Sequence, residues 1–311
     1  MSDAWDLEHP SGGERGAGAE ASTSGRAGGE DSGSGEGGGT VSAPCGPFPM
    51  DRESVRFRLL QWLNSMAALA PSLGRVIPAA LRRPFMAQGV VLAWQSLQMR
   101  TAHMFDGESA EHRALLRKLW DLAFPGEQLG DSLRAVRWKD MGWQRDDPRS
   151  DFRGGGLLCL ENLVFMAERS PGTFRRLMDK ARAPRSEPDY PFAAAGVNVT
   201  VLVTDLLGLD RIGTAPVTPE ACGFVELLKA GGDAFDRVYC AAMDLLDEHY
   251  VAQGSSYMQF PRVVREVRRA LSQALARYPQ DLPDLVRGAR AGLGLPSLDL
   301  YDDPATPARG A

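Results

Sequence analysis

Gly196-Val-Asn-Val-Thr-Val-Leu-Val203 is the stretch on which the fold turns. Its β-branched residues alternate, which taken alone reads as a strand. A strand needs a neighbour for its backbone N–H and C=O groups, and no second run of this kind occurs in the chain. The apolar character also continues into Leu206-Leu207. The sequence therefore predicts a buried helix here, and with that reading the whole chain becomes all-α.

The surrounding sequence agrees, because beyond Pro47 apolar residues recur at spacings of three and four, the mark of helices with one buried face. Val55, Leu59, Trp62, Leu63 and Met66 share such a face, closed off by Pro71. A second helix is expected from Phe85 to Met104 with Val90, Trp94, Leu97 and Met104 inward. Ser109 should cap a third that carries Leu116, Leu119, Trp120 and Ala123. Leu157, Leu160, Leu163, Val164 and Ala167 define a fourth, stopped by Ser170-Pro171-Gly172, and a short basic helix follows from Thr173 to Ala183. Asp236 to Tyr250 lines up Val238, Tyr239, Ala242, Leu246 and His249. The last strong helix has Pro261 in its first turn, with Phe260, Val264, Val267, Leu271 and Tyr278 on one side and Arg262, Arg265 and Arg269 on the other.

The N-terminal stretch is of another kind. Residues 11–40 contain 12 Gly and 5 Ser and no Leu, Ile, Val, Met, Phe, Tyr or Trp, too little apolar surface to offset ordering entropy. The sequence predicts a disordered, Gly/Ser-rich acidic tail over 1–47, helical structure from about 50 to 292, and a second disordered stub at 302–311. The first 45 residues carry a net charge of −6 and the rest only +1. A near-neutral body lacks the basic excess that nucleic acid demands.

Cys45, Cys159, Cys222 and Cys240 form no CxxC pair and meet no histidine at metal spacing, so a reduced, intracellular, metal-free protein is expected. Nothing resembles a secretory or organellar leader. No apolar run reaches the roughly 18 residues of a membrane span, and a soluble, cytoplasmic protein is expected.

Residues 138–158 stand apart from the helices: Trp138-Lys-Asp-Met-Gly-Trp-Gln-Arg-Asp-Asp-Pro-Arg-Ser-Asp-Phe-Arg-Gly-Gly-Gly-Leu-Leu158. They read as a polar loop punctuated by Gly and Pro between two apolar helices. Asp147-Pro148 favours a turn, Ser150 or Asp151 can cap a helix starting near Phe152, and Gly154 to Gly156 permits close backbone approach. Arg153 would then stand beside a helix N-terminus.

This segment resembles the ELMO (engulfment and cell motility) domain, and within it the ELMO-domain-containing proteins that activate Arf-type small GTPases. The family's pattern is a Trp, a Gly-aromatic-Gln, a Pro, then Thr/Ser-Asp-Phe-Arg-Gly. The chain supplies Trp138, Gly142-Trp143-Gln144, Pro148 and Ser150-Asp151-Phe152-Arg153-Gly154 in that order. Leu119-Trp120, Phe124-Pro125, Tyr190-Pro191-Phe192, Gly196, Asn198, Thr200 and Tyr257-Met258-Gln-Phe260 extend the likeness over about residues 111–275. Departures are Trp143 for the usual Phe, Arg145 where Gly is frequent, and Tyr250 where Trp is common.

The resemblance implies a single helical ELMO-type domain at 111–292, with helices of residues 50–110 packed on it. It implies a GTPase-activating protein for an Arf or Arf-like small GTPase, acting in the cytosol and on endomembranes where the lipidated GTPase sits. Arg153 would be the arginine finger, placed in trans against the charge that develops on the transferring phosphoryl, an effect of about 10³–10⁵-fold in rate. GTP and Mg²⁺ would belong to the GTPase, and this chain would need no cofactor. Asp151 would cap the loop or orient Arg153, while Trp138, Gln144 and Asn198 shape the loop from behind. Arg145 adds a second positive charge nearby.

Other readings of these residues are weaker. Asp140, Asp146, Asp147 and Asp151 keep the company of Pro, Ser and Gly, which suits turn and cap duty better than acid–base catalysis. Gly154-Gly155-Gly156 has no preceding strand and no Gly-Lys-Ser/Thr, so it is not a phosphate loop. His249 falls on an apolar stripe and reads as a core or rim histidine. The row Arg262, Arg265, Arg269 could touch anionic lipid, though Glu266 among them suits a solvated face. The rival function is an adaptor of the ELMO type that lacks a finger and binds partners through extra domains; this chain keeps the Arg and leaves no room for a further folded domain after Leu300. A helical enzyme acting on a small molecule stands last, since no nucleophile–base pair is visible.

Overall fold

Gly196 to Val203 lies inside a helix, Phe192–Leu207, in the computed structural model, which describes residues 86–181 and 190–298, with Arg153 seen through its backbone alone. No strand occurs among the described residues. The β-branched residues are tolerated because tertiary burial outweighs their modest helix penalty. Val199, Leu202, Val203 and Leu206 are buried, and Gly208 at φ 63° closes the helix in the left-handed conformation that favours glycine.

The α-helices in chain order are α1 (Gln88–Ala102), α2 (Ala110–Ala123), α3 (Gly156–Arg169), α4 (Pro171–Ala181), α5 (Phe192–Leu207), α6 (Pro219–Leu228), α7 (Ala234–Ala252), α8 (Phe260–Leu275) and α9 (Leu282–Leu293). Helices α3, α5 and α7 pack on one another at the centre. Helices α1 and α2 lie on α3, while α8 and α9 pair and close over α6 and α7. Gly196 is a point of tight approach among these three helices. A Cβ there would stand 2.7 Å from the Tyr239 hydroxyl of α7 and 3.0 Å from Leu163 Cδ2 of α3, so the residue must be glycine for three helices to meet.

Several expected boundaries hold. Ser109 caps α2, accepting from the His112 N–H at 3.4 Å. Helix α3 ends at Arg169, before Ser170-Pro171. Other expectations are corrected. The backbone turns extended at His103 (φ −75°, ψ 113°), so Met104 leaves the α1 stripe and is exposed. Tyr278 lies beyond the end of α8 at φ 59° and is not on its buried stripe. The basic helix starts at Pro171 instead of Thr173. Helices α6 and α9 are additions to the sequence reading, each opened by a capping side chain and a proline in its first turn: Thr218 with Pro219, and Asp281 with Pro283. The tail at 1–47, the helix of Val55 to Met66 and the stub at 302–311 lie outside the described residues.

No helix among the described residues is long and apolar enough to cross a membrane.

Candidate functional site

The segment between α2 and α3 is built from two short 3-10 helices, Val136–Met141 and Pro148–Gly154. Both starts and stops have local causes. Gly142 ends the first turn at φ 92°. Asp147 opens the second, its carboxylate accepting from the Arg149 N–H at 3.1 Å while Pro148 fills the first position, where no N–H is needed. The Ala135 N–H donates to the Asp146 carbonyl at 2.9 Å and draws the two ends of the intervening loop together. What the sequence suggested as a polar loop punctuated by Gly and Pro is thus built around a pair of tight turns.

An aromatic layer supports it. Trp138 is fully buried, its indole N–H donating to the Leu133 carbonyl at 3.1 Å and its ring edge-on to Trp120 with centroids 4.9 Å apart. Phe152 is buried as well, between Trp143 at 5.3 Å and Phe105 at 5.1 Å. Such aromatic pairs contribute about 0.5–1.5 kcal/mol each beyond their area. The Trp143 indole N–H is buried without a hydrogen-bond partner.

Charges brace the loop from outside. Asp147 receives the Arg149 guanidinium on both oxygens, at 2.7 Å each, and Arg134 at 3.3 Å. The Arg149 hydrogen bond, aided by the two positive charges, holds the Asp147 carboxyl below its ordinary range. Asp151 accepts the Gln144 N–H at 3.2 Å and the Ser150 hydroxyl at 3.1 Å, and that hydroxyl also lies 3.1 Å from the Asp147 carbonyl. These carboxylates are occupied in holding backbone, which leaves them poorly suited to moving protons.

Glycines let the loop sit against the helices beneath. A Cβ on Gly142 would lie 2.6 Å from the Phe192 amide nitrogen, and one on Gly155 would lie 2.4 Å from Cys159 Sγ. Gly156, at φ 63°, would collide with the His103 carbonyl at 2.4 Å. That same carbonyl accepts the Leu157 N–H at 2.8 Å, so the end of α1 is stitched to the start of α3. Burial pushes the Cys159 thiol up to about 12, which keeps it protonated and inert at neutral pH.

Arg153 belongs by its backbone to the Pro148–Gly154 turn, between buried Phe152 and exposed Gly154 and three residues ahead of α3. Trp138 falls in the first of the two turns, Pro148, Ser150, Asp151, Phe152 and Gly154 in the second, and Gly142, Trp143 and Gln144 in the link between them. Two expectations are corrected. Neither Ser150 nor Asp151 caps α3; the cap position is Gly155, which has no side chain to offer, and α3 starts at Gly156 instead of near Phe152. Asn198, from α5, donates to Ala194 O in its own helix at 2.9 Å, and the side chains nearest Gly154 and Gly155 from α5 are those of Thr200 and Val201. The residues that sequence reasoning missed are Arg134, Arg149 and Phe105. Arg149 follows Asp147-Pro148 directly, and a first-turn partner for the capping carboxylate was the available signal.

The model of the ELMO/CED-12 family matches residues 95–264, a span that contains the whole loop. Similar proteins include ELMO domain-containing protein A of Dictyostelium discoideum, 29% identical over 251 residues, which is 75% of this chain and 24% of that protein. ELMO domain-containing protein 2 of Bos taurus is 35% identical over 108 residues, covering 35% of this chain and 36% of its own. Engulfment and cell motility protein 3 of Bos taurus is 26% identical over 210 residues, 64% of this chain and 31% of that one. The chain therefore spans between 24% and 36% of the length of these curated relatives.

Proposed function

The chain belongs to the ELMO/CED-12 family, and from that premise we propose that it is a GTPase-activating protein for an Arf or Arf-like small GTPase, with Arg153 as the finger. The observation that carries this reading is the setting of Arg153: a short turn pinned by Asp147, Asp151 and the buried Phe152 ring, with an exposed glycine immediately after it. A finger must reach into a partner's nucleotide site without a large ordering cost, and a stiff support for the residue reduces that cost. The guanidinium would add a fixed positive charge and a planar fork of donors where phosphoryl charge develops. GTP and Mg²⁺ enter with the GTPase. Such a GTPase would bring this chain to the endomembranes on which it sits.

Gln144 through its backbone and Asp151 through its carboxylate act in this scheme as supports for the turn that bears Arg153. Trp138 and Phe152 act as the floor beneath it. Asn198 stiffens α5 behind the loop through its bond to Ala194.

Turnover of GTP by a panel of Arf-family GTPases, with and without this protein, tests the proposal. Acceleration of at least one member by about 10³-fold or more is expected. Tight binding of a GTPase without acceleration would replace the activator by an adaptor, and neither binding nor acceleration across the panel would remove both.

A further inference from the structure

The outer face of α8 departs from the rest of the surface. The 3-10 turn Tyr257–Gln259 runs directly into α8 at Phe260, so Met258, Arg262, Arg265 and Arg269 follow one another at intervals of four, three and four residues. That spacing places them on one stripe of a nearly continuous helix. Phe260, Val263, Val264, Val267, Ala270 and Leu271 are buried on the opposite side. Met258 is 80% exposed, the most exposed large apolar side chain among the described residues, and the three arginines are exposed as well.

Many arginines elsewhere on the molecule are engaged: Arg100, Arg117, Arg134, Arg137, Arg149, Arg176 and Arg290 each hold a carboxylate. Arg262, Arg265 and Arg269 form no hydrogen bond or direct ion pair with any described residue, although after the His249 hydrogen bond the charges of Arg262 and Arg269 help to hold the Glu266 carboxyl below its ordinary range. The one carboxylate among them, Glu266, is taken by His249 at 2.8 Å, and Arg268 on the flank faces Asp205 at 3.8 Å. The stripe thus presents an apolar tip followed by three exposed positive charges against one interleaved carboxylate, Glu266.

We propose that this stripe is a docking surface for an anionic membrane, with Met258 entering the headgroup region and Arg262, Arg265 and Arg269 meeting lipid phosphate. Charge complementarity selects this occupant, and the apolar tip in line with the charges suits an interface that is ionic outside and apolar just beneath. Arginine stems can lie along the acyl boundary while their heads stay at the phosphates. The stripe shares no residue with the loop that bears Arg153, and its vesicle assay needs no GTPase.

The experiment is co-sedimentation of the full chain with phosphatidylcholine vesicles prepared with and without phosphatidylserine, at low and at physiological salt. Binding to the serine-containing vesicles that weakens with salt is expected. Each Arg→Gln change at 262, 265 or 269 should lower partition about fivefold, and Met258→Ser should cause a smaller loss that salt does not alter. Arg169→Gln and Arg175→Gln, exposed arginines on other helices, should leave partition unchanged. Equal binding to both vesicle types, or unchanged binding by the triple glutamine variant, would overturn the proposal. So would a matching loss of GTP turnover by that variant on a GTPase stripped of its lipid, since the stripe would then be a contact for protein. The substituted side chains are all exposed, so melting of each variant should match the parent.

Discussion

Gly142 and Phe192 lie so close that a Cβ on the glycine would stand 2.6 Å from the Phe192 amide nitrogen. This contact joins the first 3-10 turn of the loop to the first residue of α5, two parts of the sequence fifty positions apart. Gly142 also has φ 92°, which side-chain-bearing residues rarely adopt. Gly142→Ala must therefore pay both for the backbone conformation and for overlap with a helix start that cannot swing aside. A loss of about 3 kcal/mol or more is expected, read as a lower denaturation midpoint. Gly126→Ala is the control, since it shares a positive φ but has nothing within 4 Å; the strain at φ alone should cost it about 1–2 kcal/mol.

The two loop tryptophans should respond differently to the same change. Trp138 donates its indole N–H to Leu133, whereas the buried N–H of Trp143 has no partner. Trp138→Phe removes a bond and leaves a gap, and a loss of about 2 kcal/mol is expected. Trp143→Phe removes an orphaned donor along with some packing, and the two effects should nearly cancel. Trp138→Ala should be worse than either at about 3–5 kcal/mol. Urea melts of the three variants check the order, and equal losses for the two phenylalanine variants would contradict it.

Asn198→Ala should cost only about 1 kcal/mol, because its amide bonds within its own helix and the side chain is half-buried. Under the proposed function, any GTPase activation at a temperature well below the melt should stay near that of the parent. A large loss of activity with normal melting would place Asn198 on the contact surface instead.

Two aspartates should tilt stability with pH in opposite directions. Burial in α7 pushes the Asp244 carboxyl up to about 6 from its ordinary 3.8, although Arg176 lies 2.9 Å away. Between those values the folded chain holds a proton that the unfolded chain has released, so stability falls as pH rises through the window. Above about pH 6 the cost is full, on the order of 3 kcal/mol. Asp147 is held below its ordinary range, chiefly by the Arg149 hydrogen bond. Its contribution is complete above the unfolded value and is lost as pH falls through the folded one. Melting temperature against pH should accordingly lose its decline between about pH 4 and 6 in Asp244→Asn. Asp147→Asn should be less stable than the parent at neutral pH and converge with it in strong acid.

The fold was legible where one physical argument dominated. The stretch Gly196 to Val203 had to be helical once no partner strand existed, and Ser109 announced α2 by a cap that the structure retains. Helices α6 and α9 were missed although Thr218-Pro219 and Asp281 ahead of Pro283 stand at their starts, because they are short and periodicity over 10 and 12 residues is a weak signal. Met104 was misplaced because its spacing fits a helix that in fact stops two residues earlier. Within the loop, the residues themselves were legible and their arrangement was not. A 3-10 turn of six or seven residues leaves no apolar period to read. The brace that Arg134 and Arg149 form on Asp147 depends on how the Ala135–Asp146 pairing folds the chain back, and spacing alone does not supply that.

The central claim is that Arg153 is a finger, and single-turnover GTP hydrolysis at saturating activator tests it most directly. The rates to compare are those of the parent, Arg153→Lys, Arg153→Ala and Arg145→Ala. Lysine keeps the charge and loses the planar fork, so Arg153→Lys should fall steeply along with Arg153→Ala, by about 10³-fold or more for the alanine variant. Arg145→Ala should retain most of the parent rate and melt like the parent, because Arg145 is exposed and an exposed substitution changes stability by only about half a kcal/mol. A saturated rate in Arg153→Lys close to that of the parent, or a loss confined to Arg145→Ala, would contradict the assignment.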